Sequence, residues 1–475
     1  MGAPTAHGAA RDQPHGAVTL EQRVEALNTR LHDLVAANAD EVADHFGLDG
    51  EVQRDLSRRG VHSAGDALPV PPALLPMEAT ALLHDRHSAL RRALAVVFDR
   101  RFGGSWSALA DALRLEAPVR RYVDGARPPR WLTISRPDVV LAGDDFVIVE
   151  PNAGSSCGVL ADADVQARAF WRAPVIGDFL RSAGARGPDN GAALATHLRK
   201  RLADAGREAS DLVVVVEFAA DLHEYGGTFE LLAGELRRHG VRAEVAALED
   251  LDISANGVAF REERCGAVYR LAAEEPDPEG NYPLLFPLLE AARLGTVVVA
   301  DELEDAIAAN KTVLALVSEE LDGGRLPPAL TAALTGFVPW TRVLEPVVAE
   351  VDGRRVDLPE WVSTHRRDLV LKPGAGFAGR GVAVGCETAP ETWTRAVDAA
   401  LASSEAWIVQ RTALSSPVLS GVVRGRSIPS EKTFVDYGYF GIGDRVPAGV
   451  VRKNAPFGSP TRRVKLAGTG PVFVV

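Results

Sequence analysis

Apolar residues recur at helical spacing from Thr19 onward: Leu20, Val24, Leu27, Leu31 and Leu34 fall on one face, behind a Thr19/Gln22 capping box. The pattern predicts a helix starting there. Leu83, Leu90, Leu94 and Val97 form a second stripe, after a Pro-rich stretch from Val70 to Pro76 that interrupts any helix and reads as a linker. Stripes of this kind are core packing, so the region 19–130 reads as mainly helical and neither stripe receives a functional role. Between 131 and 152 the period shifts toward two, where WLTISRPDVVL and FVIVEPN flank the polar Gly143-Asp144-Asp145, the pattern of a hairpin. From Asp211 the run LVVVV reads as a buried strand, Thr228 to His239 as a helix closed by Gly240, and VRAEVAAL as a second strand. Together they predict a βαβ unit and a small parallel sheet. The last third alternates DLVLKP, GVAVG and AWIVQ with glycine loops and a helical stretch from Trp393 to Leu401, a mixed α+β pattern.

At 475 residues the chain is too long for one compact core and predicts subdomains around a shared cleft. Its 64 acidic against 52 basic residues give a formal charge of -12, and no Lys/Arg run offsets it, so nucleic acid is excluded as a partner. No apolar run is long enough to span a membrane. Cys157, Cys265 and Cys386 are odd in number and lack CxxC spacing, which fits neither a disulfide framework nor a zinc site and points to a reducing cytoplasm. The first residues lack the apolar core of a signal peptide, fail the myristoylation pattern at Ala6, and read as a disordered tail over 1–18.

The hairpin carries the first candidate chemistry. With its turn centred on Asp144, Asp138 lies opposite Glu150 and Arg136 opposite Asn152, all on one face. Opposed carboxylates with Cβ atoms about 5 Å apart repel by about 3 kcal/mol at an effective dielectric of about 20, so a cation belongs between them. Oxygen ligands from Asp138, Glu150 and Asn152 suit Mg²⁺, and Arg136 could clasp a terminal phosphate oxygen. The same letters also fit a solvated face with Arg136 as a plain counterion, and a one-residue bulge would turn one strand over.

The segment LVLKPGAGFAGRGVAVG contains Gly374, Gly376 and Gly379 in a GxGxxG arrangement, yet a strand, not a helix, follows, so it is not a dinucleotide fingerprint. It reads as strand, glycine loop, strand. Bare backbone N–H groups in such a loop can fold over phosphates, with Lys372 and Arg380 adding charge. Lys311 lies in AANKTVLALV at a helix start, and Gln410 closes the apolar strand Trp407-Ile408-Val409 after the glycine unit.

Taken together, these segments resemble the circularly permuted ATP-grasp ligases, in particular the synthetase domain of glutathionylspermidine synthase, over roughly 131 to 475. The family's R-x-D segment followed by E-x-N matches Arg136, Asp138, Glu150 and Asn152. The resemblance implies that Asp138, Glu150 and Asn152 hold Mg²⁺, two ions in the family, and that Arg136 stabilises the transferred γ-phosphoryl group. It implies further that Lys311 and Lys372 contact ATP, that Gly374, Gly376, Gly379, Arg380 and Gly381 belong to the phosphate flap, and that Gln410 lies on the strand meeting adenine. An arginine corresponding to Arg452, in the closing hairpin GDRVPAGVVRKN, would face the site. The implied fold is a permuted ATP-grasp: segment 131–205 with the Mg-binding hairpin, a Rossmann-like pre-ATP-grasp subdomain over 206–310, and a nucleotide-binding region over 311–475. The implied reaction joins a small-molecule or peptide carboxylate to an amine through an acylphosphate, releasing ADP and phosphate. No amidase region is present, and the helices before 130 match nothing in the family.

Two rival readings remain. Gly154-Ser155-Ser156-Cys157-Gly158 formally fits the GxSxG elbow of a serine hydrolase, but Pro151-Asn152-Ala153 intervene where a sharp strand-to-helix turn is needed, and no HGGG segment precedes it. Cys157 has no neighbouring His or Lys to activate it. A non-catalytic nucleotide-binding scaffold is the other, against which stands the full set of hairpin side chains and lysines. His223-Glu224 lacks the second histidine of HExxH.

Overall fold

The computed structural model describes residues 18–47, 50–59, 61, 68–124, 129–154, 160–254, 256–271, 282–303, 307–376, 379–413, 418–421, 428, 430–456 and 468–475. Apart from Val18, the expected N-terminal tail lies outside them. Helix α1 (Leu20–Ala37) begins at the expected box, Gln22 N donating to Thr19 Oγ1 (3.2 Å) and Thr19 N to Gln22 Oε1 (2.9 Å). Leu20, Val24, Leu31 and Val35 are buried, with Leu27 and Leu34 packed beside them. Helix α2 (Met77–Phe102) buries Leu83, Leu90, Leu94 and Val97 as the stripe requires. The stretch before it is not a linker: Ala73–Leu75 form strand β1, fully buried and parallel to the last strand of the chain, with Ala73 opposite Val472. Three consecutive apolar residues show no period, and their partner lies about as far away as the chain allows.

Among the described residues the strands fall into three larger sheets and one two-stranded pair, Val348–Val351 with Arg354–Asp357. Along the chain come β2 (Asp138–Ala142), β3 (Asp145–Glu150), α3 (Leu160–Arg172), α4 (Asn190–Asp204), β4 (Leu212–Glu217), α5 (Ala219–Arg238), β5 (Ala243–Ala247), β6 (Glu263–Arg270) and β7 (Val298–Ala300). Then follow α6 (Thr312–Asp322), β8 (Thr341–Val343), α7 (Leu358–Thr364), β9 (Leu369–Pro373), β10 (Ala383–Val384), α8 (Pro390–Leu401), β11 (Trp407–Arg411), β12 (Ser430–Ile442), β13 (Arg445–Pro456) and β14 (Gly468–Val474). The largest sheet runs β1-β14-β13-β12-β2-β3, with Ile134–Ser135 and Val418–Gly421 also paired to β12. It sets the early hairpin beside the closing one.

In the second sheet β5, β4, β6 and β7 are parallel, giving the expected βαβ unit around α5. That helix starts at Ala219, earlier than Thr228, where Glu249 Oε2 receives the Ala219 N–H (3.1 Å). The third sheet, β8-β11-β9-β10, is antiparallel and two-faced. Leu369, Leu371 and Val409 pack on one side against Leu358 and Val362 of α7 and Trp393 and Val397 of α8. Strand alternation puts Thr341, Lys372 and Gln410 on the other side. The architecture is mixed α/β, and no described helix is long and apolar enough to cross a membrane.

Candidate functional site

The β2–β3 hairpin meets its expected pairing by an unexpected route. Its turn is Gly143-Asp144, Gly143 taking φ 63°, so Leu141 opposes Phe146 and Val139 opposes Ile148, one residue off a turn centred on Asp144. An irregularity then skips Val149, and Asp138 comes opposite Glu150 after all. The bulge cancels the offset of the turn. Beyond it Arg136 N donates to Asn152 O (2.9 Å), and Asn152 Nδ2 returns a bond to Arg136 O (3.3 Å). Arg136 Nε lies 3.5 Å from Asp138 Oδ1. Arg136, Asp138 and Asn152 are buried, whereas the Glu150 side chain keeps 23% of its exposure. The turn is not a solvated tip: Asp144 Oδ1 accepts from Leu20 N (2.7 Å) and Glu21 Oε2 from Gly143 N (3.0 Å), tying the start of α1 to it.

Both lysines reach this hairpin. Lys311, just ahead of α6, places Nζ 2.8 Å from Glu150 Oε1 and donates to Gly376 O (2.5 Å). Lys372, on β9, donates to the Val149 carbonyl that the bulge turns outward (2.8 Å) and to Gln410 Oε1 (2.8 Å). Gln410 Nε2 in turn donates to Thr341 Oγ1 (3.2 Å). Burial pulls the Lys372 ammonium down to about 8, with Glu150, Asp436 and Asp138 opposing the shift and Lys311 adding to it. A phosphate held by Lys372 should therefore bind more weakly as pH rises through that value and the charge is lost. Affinity for a non-hydrolysable ATP analogue should fall severalfold between pH 7 and pH 9 by calorimetry, and Lys372→Arg should flatten the profile, since arginine stays charged.

The glycine loop enters β10 as a strand, Val370 pairing with Val384, in keeping with the strand, loop, strand reading. Gly374 is fixed by close approach: a Cβ there would sit 2.6 Å from Thr312 Oγ1 and 2.9 Å from Ala406 O. Gly376, Gly379 and Gly381 take φ 123°, 69° and 75°, which side chains disfavour. Arg380 is exposed in the same turn, and residues 377–378 lie outside the described ones.

Arg452 is not brought to this cluster. It pairs with Tyr437, whose neighbour Gly438 pairs with Asp138, so alternation sends Tyr437 and Arg452 to the opposite face. There Arg452 donates to Pro71 O (2.8 Å); burial draws its guanidinium down to about 10, and the Tyr437 phenol is pushed up to about 12. The structure thus sets Arg452 on the face of the sheet away from Asp138. Two residues of β12 that sequence reasoning passed over do belong here: Asp436, whose charge acts on Lys372, and Gly438, beneath Arg136 and Asp138. The alternation in VDYGYFG was the available signal. Ser155 to Gly158 of the GxSxG-like segment, with Cys157, lie outside the described residues.

The donor set fits a hard divalent cation: two carboxylates and an amide, all oxygen, with no thiolate or imidazole among them. Among the described residues no three acidic, histidine or cysteine side chains converge closely enough to cage an ion. An ion at Asp138 and Glu150 would have to complete its shell with water and phosphate oxygens, as Mg²⁺ commonly does.

Neither a protein-family model nor a curated protein sequence matches the chain. Solved structures do. A glutathione synthetase-like effector from Globodera pallida, in its apo form, aligns over 94% of this chain and 97% of its own at a TM-score of 0.55 and 12% identity. A putative gamma-glutamylcysteine synthetase from Methylobacillus flagellatus aligns over 85% and 87% at a TM-score of 0.41 and 11% identity. A D-cycloserine synthetase aligns over 42% and 59% at a TM-score of 0.25 and 20% identity. The first likeness establishes a shared fold. The other two are too distant in shape to add to it.

Proposed function

We propose that this chain is an ATP-dependent carboxylate–amine ligase of the circularly permuted ATP-grasp type, forming an amide through an acylphosphate and releasing ADP and phosphate. One observation carries the reading: Lys311 and Lys372, distant in sequence, both end on the hairpin that opposes Asp138 to Glu150. Two cations, two carboxylates and a glycine loop in one place form the equipment for holding a triphosphate with its metal. That the solved structure sharing this fold is described as a glutathione synthetase-like effector is consistent with it.

In this reading Asp138, Glu150 and Asn152 hold Mg²⁺, which when bound neutralises charge on the β- and γ-phosphates. Lys372 and Lys311 bind the phosphate chain, and Gln410 fixes Lys372 through their hydrogen bond. Arg136, restrained beside Asp138, is placed to stabilise the γ-phosphoryl group as a substrate carboxylate oxygen attacks it. Backbone N–H groups of Gly374, Gly376, Gly379, Arg380 and Gly381 would cover the phosphates and exclude water until an amine attacks the acyl carbon and phosphate leaves. Arg452, on the far face, is left without a role in the chemistry.

The decisive experiment incubates the protein with ATP, Mg²⁺, pooled carboxylates and hydroxylamine. ADP release together with hydroxamate is the expected result. AMP as the nucleotide product would sink the acylphosphate route, and labelling of Ser156 by a fluorophosphonate would revive the hydrolase reading.

A further inference from the structure

Glycine in the middle of a strand weakens it and calls for a local cause. Gly438 sits within the long strand β12, between the buried Tyr437 and Tyr439. Its backbone is not among those in the left-handed region, so conformational freedom is not the cause. Space is. A Cβ built on Gly438 would come 3.0 Å from Asp138 Oδ1 and 3.1 Å from both Cγ and Cδ of Arg136. Gly438 is also the register partner of Asp138, and Tyr439 N binds Pro137 O (3.2 Å), so β12 cannot slide away from the pair.

We infer that Gly438 is a positioning residue for Arg136 and Asp138, an inference that rests on the metal reading above. Its bare Cα provides the shelf across which the Arg136 stem lies, letting the guanidinium approach Asp138 while that carboxylate faces Glu150. Arg136 and Asp138 are 9% and 7% exposed, so neither can turn out into solvent without leaving its packing. A methyl group at 438 presses on the Arg136 stem and on Asp138 Oδ1, and a shift of that oxygen moves it away from the others that would converge on the ion. Gly441, in the same strand, has a different cause: its Cβ would meet His87 Cε1 at 2.8 Å and Ser135 Oγ at 2.9 Å, away from the carboxylates.

The test measures Mn²⁺ binding by electron paramagnetic resonance on the full chain with a non-hydrolysable ATP analogue, alongside thermal melts. Gly438→Ala should weaken Mn²⁺ binding about tenfold or more, the size of effect seen when support behind metal ligands is disturbed. On an Arg136→Ala background the same change should cost less, because the contact with the stem has gone while that with Asp138 Oδ1 remains. Gly441→Ala should lower the melting temperature and leave Mn²⁺ affinity unchanged. An equal loss on both backgrounds, or Mn²⁺ affinity unaltered in Gly438→Ala, would overturn the inference. Should Gly438→Ala fail to fold, recovery of folding in the double variant supports the contact and continued failure overturns it. A wild-type chain that takes up no Mn²⁺ overturns the metal reading, and this inference with it, a result distinct from all of the others.

Discussion

Glu150→Gln should lower ATP turnover by about a hundredfold or more while leaving the fold intact, the loss expected when a preorganised charge is removed from a phosphoryl-transfer site. The amide keeps the shape of the carboxylate. What changes is charge: Lys311 Nζ, 2.8 Å from Oε1, loses its ionised partner, and one of two opposed anionic oxygen donors is gone. Stability should fall, because relief of the Asp138–Glu150 repulsion only partly offsets the loss of the Lys311 pair at 2.8 Å. At an effective dielectric of about 20 the repulsion is about 3 kcal/mol and the pair about 6 kcal/mol. ADP release measured beside a circular dichroism melt separates the two effects. Turnover near the wild-type rate would place the metal on other side chains.

How much of this site could be read beforehand depended on what fixes each feature. Asp138, Glu150 and Lys372 were legible because charged residues stand out from apolar strands, whereas Lys311, at a helix start, was singled out only through the family resemblance. Geometry was less so. The Asp138–Glu150 pairing was reached from a turn placed one residue away from where it lies, and only the bulge at Val149 made the result the same. The face that Arg452 takes depends on how β12 and β13 register across a turn at Gly443-Asp444 and an irregularity near Phe440, which the letters alone do not announce. Strand β1 was hidden for another reason: its pairing with β14 is non-local, and nothing in Ala73-Leu74-Leu75 announces a partner about 400 residues away. Asp436 and Gly438 are common letters in a strand and acquire meaning only once Asp138 is seen beside them.

The largest stability effect is expected far from the carboxylates, at the ends of the parallel strands. Arg270, last residue of β6 and fully buried, donates through Nε to Asp301 O (3.0 Å) and through an Nη to Asp301 Oδ2 (3.1 Å). Asp301, directly after β7, takes φ 77°, a conformation aspartate tolerates better than alanine. Asp301→Ala should therefore destabilise the chain by about 3 to 5 kcal/mol, removing a carboxylate and a favourable backbone conformer from beside a buried guanidinium. Asp301→Asn should cost less, and adding Arg270→Met should recover part of the loss, since the charge itself is then removed. A pH signature accompanies it. Burial raises the neighbouring Glu217 carboxyl to about 7, against the pull of the Phe218 N–H and of Arg270. Between its unfolded value of 4.5 and about 7 the folded chain binds more protons than the unfolded one, so this group makes stability fall as pH rises through that window. With the Asp301 carboxylate gone, the Arg270 charge should act more strongly on Glu217, draw its value down and flatten that slope. Urea unfolding at pH 5 and pH 7 measures both quantities. A loss below about 1 kcal/mol would mean that Arg270 finds solvent or another acceptor once Asp301 is removed, and that the pair does not hold this end of the sheet.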